Sequence, residues 1–84
     1  MWKIRLADGS EIPAERCAVS EGVLCILLPD PMDVVAAVGV FGSPICSERI
    51  TFVEDDERET TYEGYTHMIS AHESGIIQMR REAN

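Results

Sequence analysis

The stretch ISAHESGIIQM, residues 69–79, decides the fold because apolar residues alternate on both sides of a Ser-Gly reversal. The last position of a three-residue hairpin loop is left-handed, and glycine adopts that conformation without a Cβ penalty. A loop at Glu73-Ser74-Gly75 predicts two cross-strand pairs, Ala71 with Ile77 and Ile69 with Met79. The apolar partners then share one face, as the two-residue repeat of a strand requires.

Two segments nearer the amino terminus have the same loop pattern, Ala7-Asp8-Gly9 and Ser20-Glu21-Gly22. The first loop predicts two pairs, Ile4 with Ile12 and Leu6 with Ser10. The second loop predicts two more, Val19 with Val23 and Cys17 with Cys25. Three hairpins of this kind are typical of a strand-rich protein with antiparallel pairing.

The segment between the second and third hairpins contains one predicted helix. Its start is indicated by a capping residue, a first-position proline and a first-turn acid, namely Asp30, Pro31 and Asp33. Its apolar residues recur at helical spacing: Val34, Val38 and Phe41. We expect Gly42 to end it and Pro44 to prevent its continuation. Since valine and glycine have modest helix propensity, the helix should depend on packing against the sheet.

The order of elements defines the fold class. After the helix come a strand at 50–53, a long strand over Thr60–His72 with a bend at Gly64, and the closing hairpin. The order is β-β-β-α-β-β-β. We predict one α+β domain over residues 1–84, a curved antiparallel sheet or small open barrel with one short helix packed on it. The strand order stays open, because hairpins fix neighbours but not how the two halves join.

Length and charge limit the classes of function. The chain has 84 residues, with 7 Lys and Arg against 15 Asp and Glu, for a formal charge of −8. That balance argues against nucleic-acid partners and anionic membranes, which both require clustered cations. A domain this short buries only about 60% of its unfolded surface, so a partner subunit would help it. Without a signal-peptide pattern, and with its longest apolar run at 34–42, it is expected in the cytoplasm or in a virion.

Three cysteines, Cys17, Cys25 and Cys46, form an odd set without a CxxC spacing, which argues against a disulfide framework. The predicted register nevertheless makes Cys17 and Cys25 a candidate cross-strand thiol pair. In a non-hydrogen-bonded pair their Cα atoms would lie ~4.5 Å apart, within disulfide reach. A reducing cytosol favours the alternative of two buried thiols that behave as small apolar residues.

No catalytic residue, metal site or cofactor is predicted, and the chain is not expected to be an enzyme. His67 and His72 fall on opposite faces of a strand, so they cannot ligate one metal. The acidic run Glu54–Glu59 lacks the spacing of a calcium loop and should be a solvated turn. Ser70 and His72 share a strand face beside Glu73, but no nucleophile elbow accompanies them.

Aromatic residues provide the candidate interface. If Trp2 is exposed beside Tyr62 or Tyr65, it can anchor a partner, because tryptophan and tyrosine are enriched among residues that dominate binding energy. The alternative is that all three pack into the core.

Two segments, with Ile50 between them, resemble those of a known group of proteins: Phe41-Gly42-Ser43-Pro44 and Thr61-Tyr62-Glu63-Gly64-Tyr65-Thr66. The closing hairpin from Ile69 through Gly75 to Met79 continues it. The second half of the chain resembles short, uncharacterised proteins encoded among the structural or tail genes of tailed phages and prophages of gut Gram-positive bacteria. The resemblance implies a context of virion or tail assembly, and it supplies no catalytic residues.

These observations leave several hypotheses about function. The first is a non-enzymatic structural or interaction protein that associates with itself or another protein, for example by sheet extension at an exposed edge strand. The second is an acidic inhibitor that mimics nucleic acid, which requires carboxylates in continuous rows. A small ligand-binding module needs a cavity between helix and sheet. A small enzyme ranks last and needs a cleft that holds a histidine beside Cys or Ser.

Overall fold

The computed structural model describes residues 2–81. Its strands form where apolar and β-branched residues alternate. The first half contains strands β1 (Lys3–Leu6), β2 (Glu11–Pro13), β3 (Arg16–Ser20) and β4 (Val23–Leu27). Helices α1 (Asp33–Phe41) and α2 (Pro44–Ser47) follow. The second half contains β5 (Arg49–Val53), β6 (Glu59–Glu63), β7 (His67–Ala71) and β8 (Ile76–Arg80). The predicted α+β class is confirmed, and residues 2–81 contain eight strands where six were expected and a second, one-turn helix.

The strands form two antiparallel four-stranded sheets. Sheet 1 has the order β2-β1-β5-β6, and sheet 2 has the order β3-β4-β8-β7. The extra strands arise because two long segments each divide, one at Ala14-Glu15 and the other at 64–66. The chain crosses from sheet 1 to sheet 2 at each division. The expected bend at Gly64 is therefore a crossing between sheets, and the sheets do not close into a barrel.

The two halves of the chain share one topology and interlock. Each half gives its first hairpin to sheet 1 and its second to sheet 2, so β1 pairs with β5 and β4 pairs with β8. Matching hydrogen bonds fix the two crossings: Ala14 N donates to Trp2 O at 3.1 Å, and Gly64 N donates to Glu48 O at 2.9 Å. Neither half can complete a sheet alone, so we expect the domain to fold as one unit.

The first hairpin has the predicted register. Ile4 pairs with Ile12, and Leu6 N donates to Ser10 O at 2.8 Å. The third hairpin begins as predicted, with Ala71 opposite Ile77. A register shift between Met68 and Ser70 then makes the predicted pair of Ile69 with Met79 wrong, since Met68 takes that place. The irregularity turns the Ile69 side chain outward, where it is 46% exposed.

The second hairpin has a different register from the predicted one. Val19 pairs with Leu24 and Cys17 pairs with Ile26. The cause is the loop, which contains two residues rather than three: Glu21 and Gly22 both have positive φ, 52° and 79°. This is the geometry of a two-residue hairpin turn. A shift of one residue in the register changes which side chains of the two strands lie on the same face of the sheet.

Helix α1 begins later than its capping sequence indicates. Asp30 does not cap it; its Oδ1 accepts a hydrogen bond from Met32 N at 2.9 Å, which forms a turn before the helix. The predicted end is confirmed, since α1 stops at Phe41 with Gly42 as its C-cap, although Gly42 stays right-handed at φ −74° and Pro44 opens α2. Proline suits this first position because its missing N–H has no helical partner there. Along α1, the buried residues are Val34, Ala37 and Phe41.

One core joins the two sheets and α1. It is formed by the inward residues of the four central strands and of the helix. The largest fully buried side chains are Phe41, Ile4, Leu24, Ile26, Ile50, Ile77 and Met79. Because this core uses one face of each sheet and one face of α1, the opposite faces remain available for contacts.

Candidate functional site

The two candidate cysteines lie on opposite faces of sheet 2. Cys17 shares the core face with Ile26, whereas Cys25 is opposite Ala18, and Gln78 Nε2 lies 3.8 Å from its sulfur. The predicted cross-strand pair is wrong, since the two-residue turn shifts the register by one. All three cysteines are free thiols. Burial, with a smaller contribution from Cys25, raises the pKa of Cys17 to about 12.

The Cys17 thiol should make stability fall at alkaline pH. Its ordinary pKa is 9.0 and its folded pKa is about 12. Above pH 9 the unfolded chain therefore releases a proton that the folded chain retains, and the free energy of unfolding decreases up to pH 12. Replacing Cys17 with alanine should flatten this part of the curve, measured by urea unfolding from pH 8 to 11. An unchanged slope in the variant would contradict the assignment.

The candidate aromatic residues form two separate contacts. Trp2, 38% exposed, packs edge-on against Phe52 with 5.6 Å between ring centroids. Tyr62 packs edge-on against Tyr65 at 6.3 Å, and the Arg81 guanidinium lies 4.9 Å from the Tyr65 centroid. Tyr65 is buried and belongs to the core. Trp2 is therefore the exposed member of the predicted interface set, and Tyr62 is half-buried.

The histidines and Ser70 are engaged in separate local contacts. Ser70 Oγ donates to Gln78 Oε1 at 2.9 Å, while His72 Nδ1 lies 2.7 Å from Ser74 Oγ and accepts from Ser74 N at 3.0 Å. His67 is exposed opposite Arg80. Ser70 and His72 are thus not assembled as a nucleophile and its base. Within residues 2–81, no group of three or more metal-binding side chains occurs.

Charged side chains on the outer face of sheet 1 alternate in sign. Glu11 pairs with Lys3 at 2.8 Å and Arg5 at 3.5 Å, and Arg5 also reaches Glu59 at 3.5 Å. Lys3 and Arg5 lower the pKa of Glu11, chiefly through the hydrogen bond with Lys3. The acidic run is a solvated turn between β5 and β6, where Arg58 lies 3.3 Å from Asp56. The outer face of sheet 1 therefore carries acidic and basic side chains next to each other.

The surface that the sequence analysis missed is the exposed side of α1, here called the outer helix face: Met32, Val35, Ala36, Val38 and Gly39. Met32 is 81% exposed and Val35 is 83% exposed, while Val38 is 38% exposed. A Cβ added at Gly39 would meet nothing within 4 Å, so space beside the helix is open. On α2, Ile45 is 75% exposed.

A signal for this face is present in the sequence. Residues 34–47 contain no Asp, Glu, Lys or Arg in a chain that is 26% charged. A helix that is apolar on every side is normally buried on every side. Within residues 2–81, the inward side of α1 is covered, whereas Met32 and Val35 on the outer helix face are 81% and 83% exposed.

Five surface grooves of 270–550 Å³ are distributed over the described residues. None of these five is lined by a histidine or by a residue of α1. Trp2 lines two of the grooves, of 460 and 340 Å³. Arg16 also lines both of them, and Phe52 lines one.

Neither helix of the described segment has the length and hydropathy needed to cross a membrane. Comparisons with protein-family models, with curated proteins and with solved structures give no match to this chain.

Proposed function

We propose that this protein is a non-enzymatic structural component that associates with copies of itself through the outer helix face. The observation that supports this function is the outer helix face, where Val35 is 83% exposed and the charged residue of α1 is Asp33 at its start. Fully burying such a side chain is worth about 1.5–3 kcal/mol. The resemblance of the second half to phage tail-cluster proteins suggests the setting, which is assembly of a virion or tail.

A second copy is the partner that fits the charge distribution best. Each copy carries −8, and a two-fold contact brings identical patches together, so any charged patch would meet its own sign. Residues 34–47 avoid this repulsion because they carry no charged side chains. Ala36 and Gly39 are small, which permits two α1 helices to approach closely. An uncharged, apolar and partly small helix face is therefore well suited to self-contact.

The alternative functions have weaker support. A nucleic-acid mimic needs uniform rows of carboxylates, but on sheet 1 the acids Glu11 and Glu59 flank the cations Lys3 and Arg5. A ligand-binding module needs an enclosed cavity under α1, and the five described grooves lie elsewhere. These observations favour the structural role.

Replacing Val35 with glutamate should dissociate the assembly. Val35→Glu places like charges opposite each other in a two-fold contact, while an acid in the first turn of α1 suits the helix dipole and should leave the fold intact. We expect wild-type mass to increase with concentration and the variant to stay at 9.3 kDa in sedimentation equilibrium. Circular dichroism checks that the variant is folded.

The matched control is Ile69→Glu, which adds the same charge at another exposed apolar residue, on β7. It should associate like the wild type. The proposal fails if the wild type is a 9.3 kDa monomer at about 1 mM, where even weak contacts are populated, or if Ile69→Glu dissociates equally.

A further inference from the structure

Strand β3 is the least protected of the four sheet edges. Edge strands template the pairing of another chain unless shortening, proline, charge or a bulge blocks them. β2 has three residues and contains Pro13, β6 carries Glu59 and Glu63 at its ends, and β7 is interrupted at Ile69. β3 pairs with β4 over five consecutive residues in one unbroken register. Its one charged residue is Arg16 at its start, and the Tyr62 hydroxyl contacts the carbonyl of Cys17, so its outer edge is the least blocked of the four rather than fully open.

The outward backbone groups of β3 belong to Cys17 and Val19. In a two-residue hairpin the closing pair, Ser20 with Val23, is hydrogen-bonded, and the alternate pair Ala18 with Cys25 follows. The residues between them direct their N–H and C=O groups away from β4. The Tyr62 hydroxyl, 3.5 Å from the Cys17 carbonyl oxygen, agrees with this orientation. At 3.5 Å that hydrogen bond is long and weak, so an incoming strand can replace it.

Two grooves that are both lined by Trp2, here together called the Trp2 groove, lie beside this edge. Trp2 and Arg16 line the two grooves of 460 and 340 Å³, and Cys17, Ala18 and Phe52 line the smaller one. Trp2 is partly exposed and packs against Phe52. A tryptophan in such a position is the kind of residue that dominates binding energy at interfaces. A segment paired with β3 would place every second side chain into the Trp2 groove.

The charge of the whole chain indicates the partner. Glu15, Glu54 and Asp55 line the two grooves together with Arg16, and Glu54 also pairs with Arg58 at 3.8 Å. A second copy, itself at −8, is disfavoured here, whereas a cationic segment is attracted. We propose that the β3 edge and the Trp2 groove bind an extended cationic segment of another protein by strand addition. This surface is separate from the outer helix face, so the protein would contact its own copies and a basic partner through different elements.

The test uses the full chain and a capped eight-residue peptide of alternating valine and lysine, beside a peptide of alternating valine and glutamate. We expect the cationic peptide to shift the fluorescence of Trp2, the single tryptophan, and to slow amide exchange at Cys17 and Val19. Its affinity should exceed that of the acidic peptide by about tenfold or more. No binding of the cationic peptide at about 1 mM would overturn the proposal.

Val19→Pro removes one outward N–H and should abolish binding, whereas Val19→Ala keeps that N–H and should bind like the wild type. If the proline variant does not fold, Trp2→Ala, which leaves the edge intact, should weaken binding about tenfold. Binding without protection of the β3 amides overturns the proposal. A change of solution mass in Val19→Pro also overturns it, since a second copy would then occupy the edge. Val35→Glu should leave peptide binding unchanged, which separates this result from the test of self-association.

Discussion

Replacing Phe41 with alanine is expected to lower the free energy of unfolding by about 3–5 kcal/mol. Phe41 is the last residue of α1, is 0% exposed, and belongs to the core that joins α1 to both sheets. Its removal leaves a cavity between these layers, and a domain held by a rigid antiparallel framework can close such a cavity only in part. Small domains have about 5–15 kcal/mol of stability in total. The variant should therefore lose a large fraction of its stability, measured by urea unfolding followed by circular dichroism.

Phe41→Leu provides the control for this prediction. Leucine keeps most of the volume, and volume-conserving exchanges in a core cost less than about 1.5 kcal/mol. A similar loss in both variants would show that the aromatic ring itself, rather than the filled volume, holds α1 on the sheets. A loss below about 1 kcal/mol in Phe41→Ala would contradict the position of Phe41 in the shared core.

The hairpins show how far local sequence determines this fold. Ala7-Asp8-Gly9 and Ser20-Glu21-Gly22 have the same pattern, yet the first gives the predicted register and the second does not. The difference is the backbone of Glu21, which adopts positive φ at 52° and shortens the loop. A non-glycine residue in that conformation is uncommon, so a sequence pattern does not indicate it. The register of sheet 2, and with it the faces of Cys17 and Cys25, therefore depended on a feature outside local propensity.

The crossings between sheets were also invisible in the local pattern. Ala14-Glu15 interrupts a run that otherwise alternates like one strand, and only the pairing of β1 with β5 and of β4 with β8 makes two sheets necessary. Such pairings are long-range and depend on the whole chain. The candidate sites likewise depend partly on local sequence and partly on long-range packing. The sequence makes Trp2 an interface candidate only if it is exposed, with core packing as the alternative, and its grooves arise where β3 passes residues of sheet 1. The uncharged run at 34–47 is visible in the sequence, but the exposed side of α1 could be identified only once the side that packs inward was known.

Replacing Gly75 with alanine is expected to cost about 2–4 kcal/mol, because two penalties add. Gly75 has φ +98°, a conformation that costs an L-residue at least about 1–2 kcal/mol. In addition, a Cβ there would lie 3.1 Å from the carbonyl oxygen of Leu28, a backbone atom that has little freedom to move. Gly75 O also accepts from Leu28 N at 2.8 Å, which ties the third hairpin to the end of β4. Displacing the loop would therefore weaken that attachment, and urea unfolding measures the loss.

Gly9→Ala is the matched variant that isolates the second penalty. Gly9 closes the first hairpin with nearly the same backbone, φ +92°, but a Cβ there would meet nothing within 4 Å. Its substitution should cost only the conformational part, about 1–2 kcal/mol. The difference between the two variants then measures the crowding against Leu28. Equal losses would mean that the contact between the third hairpin and the end of β4 yields without cost, and that this hairpin is less firmly held than its hydrogen bond indicates.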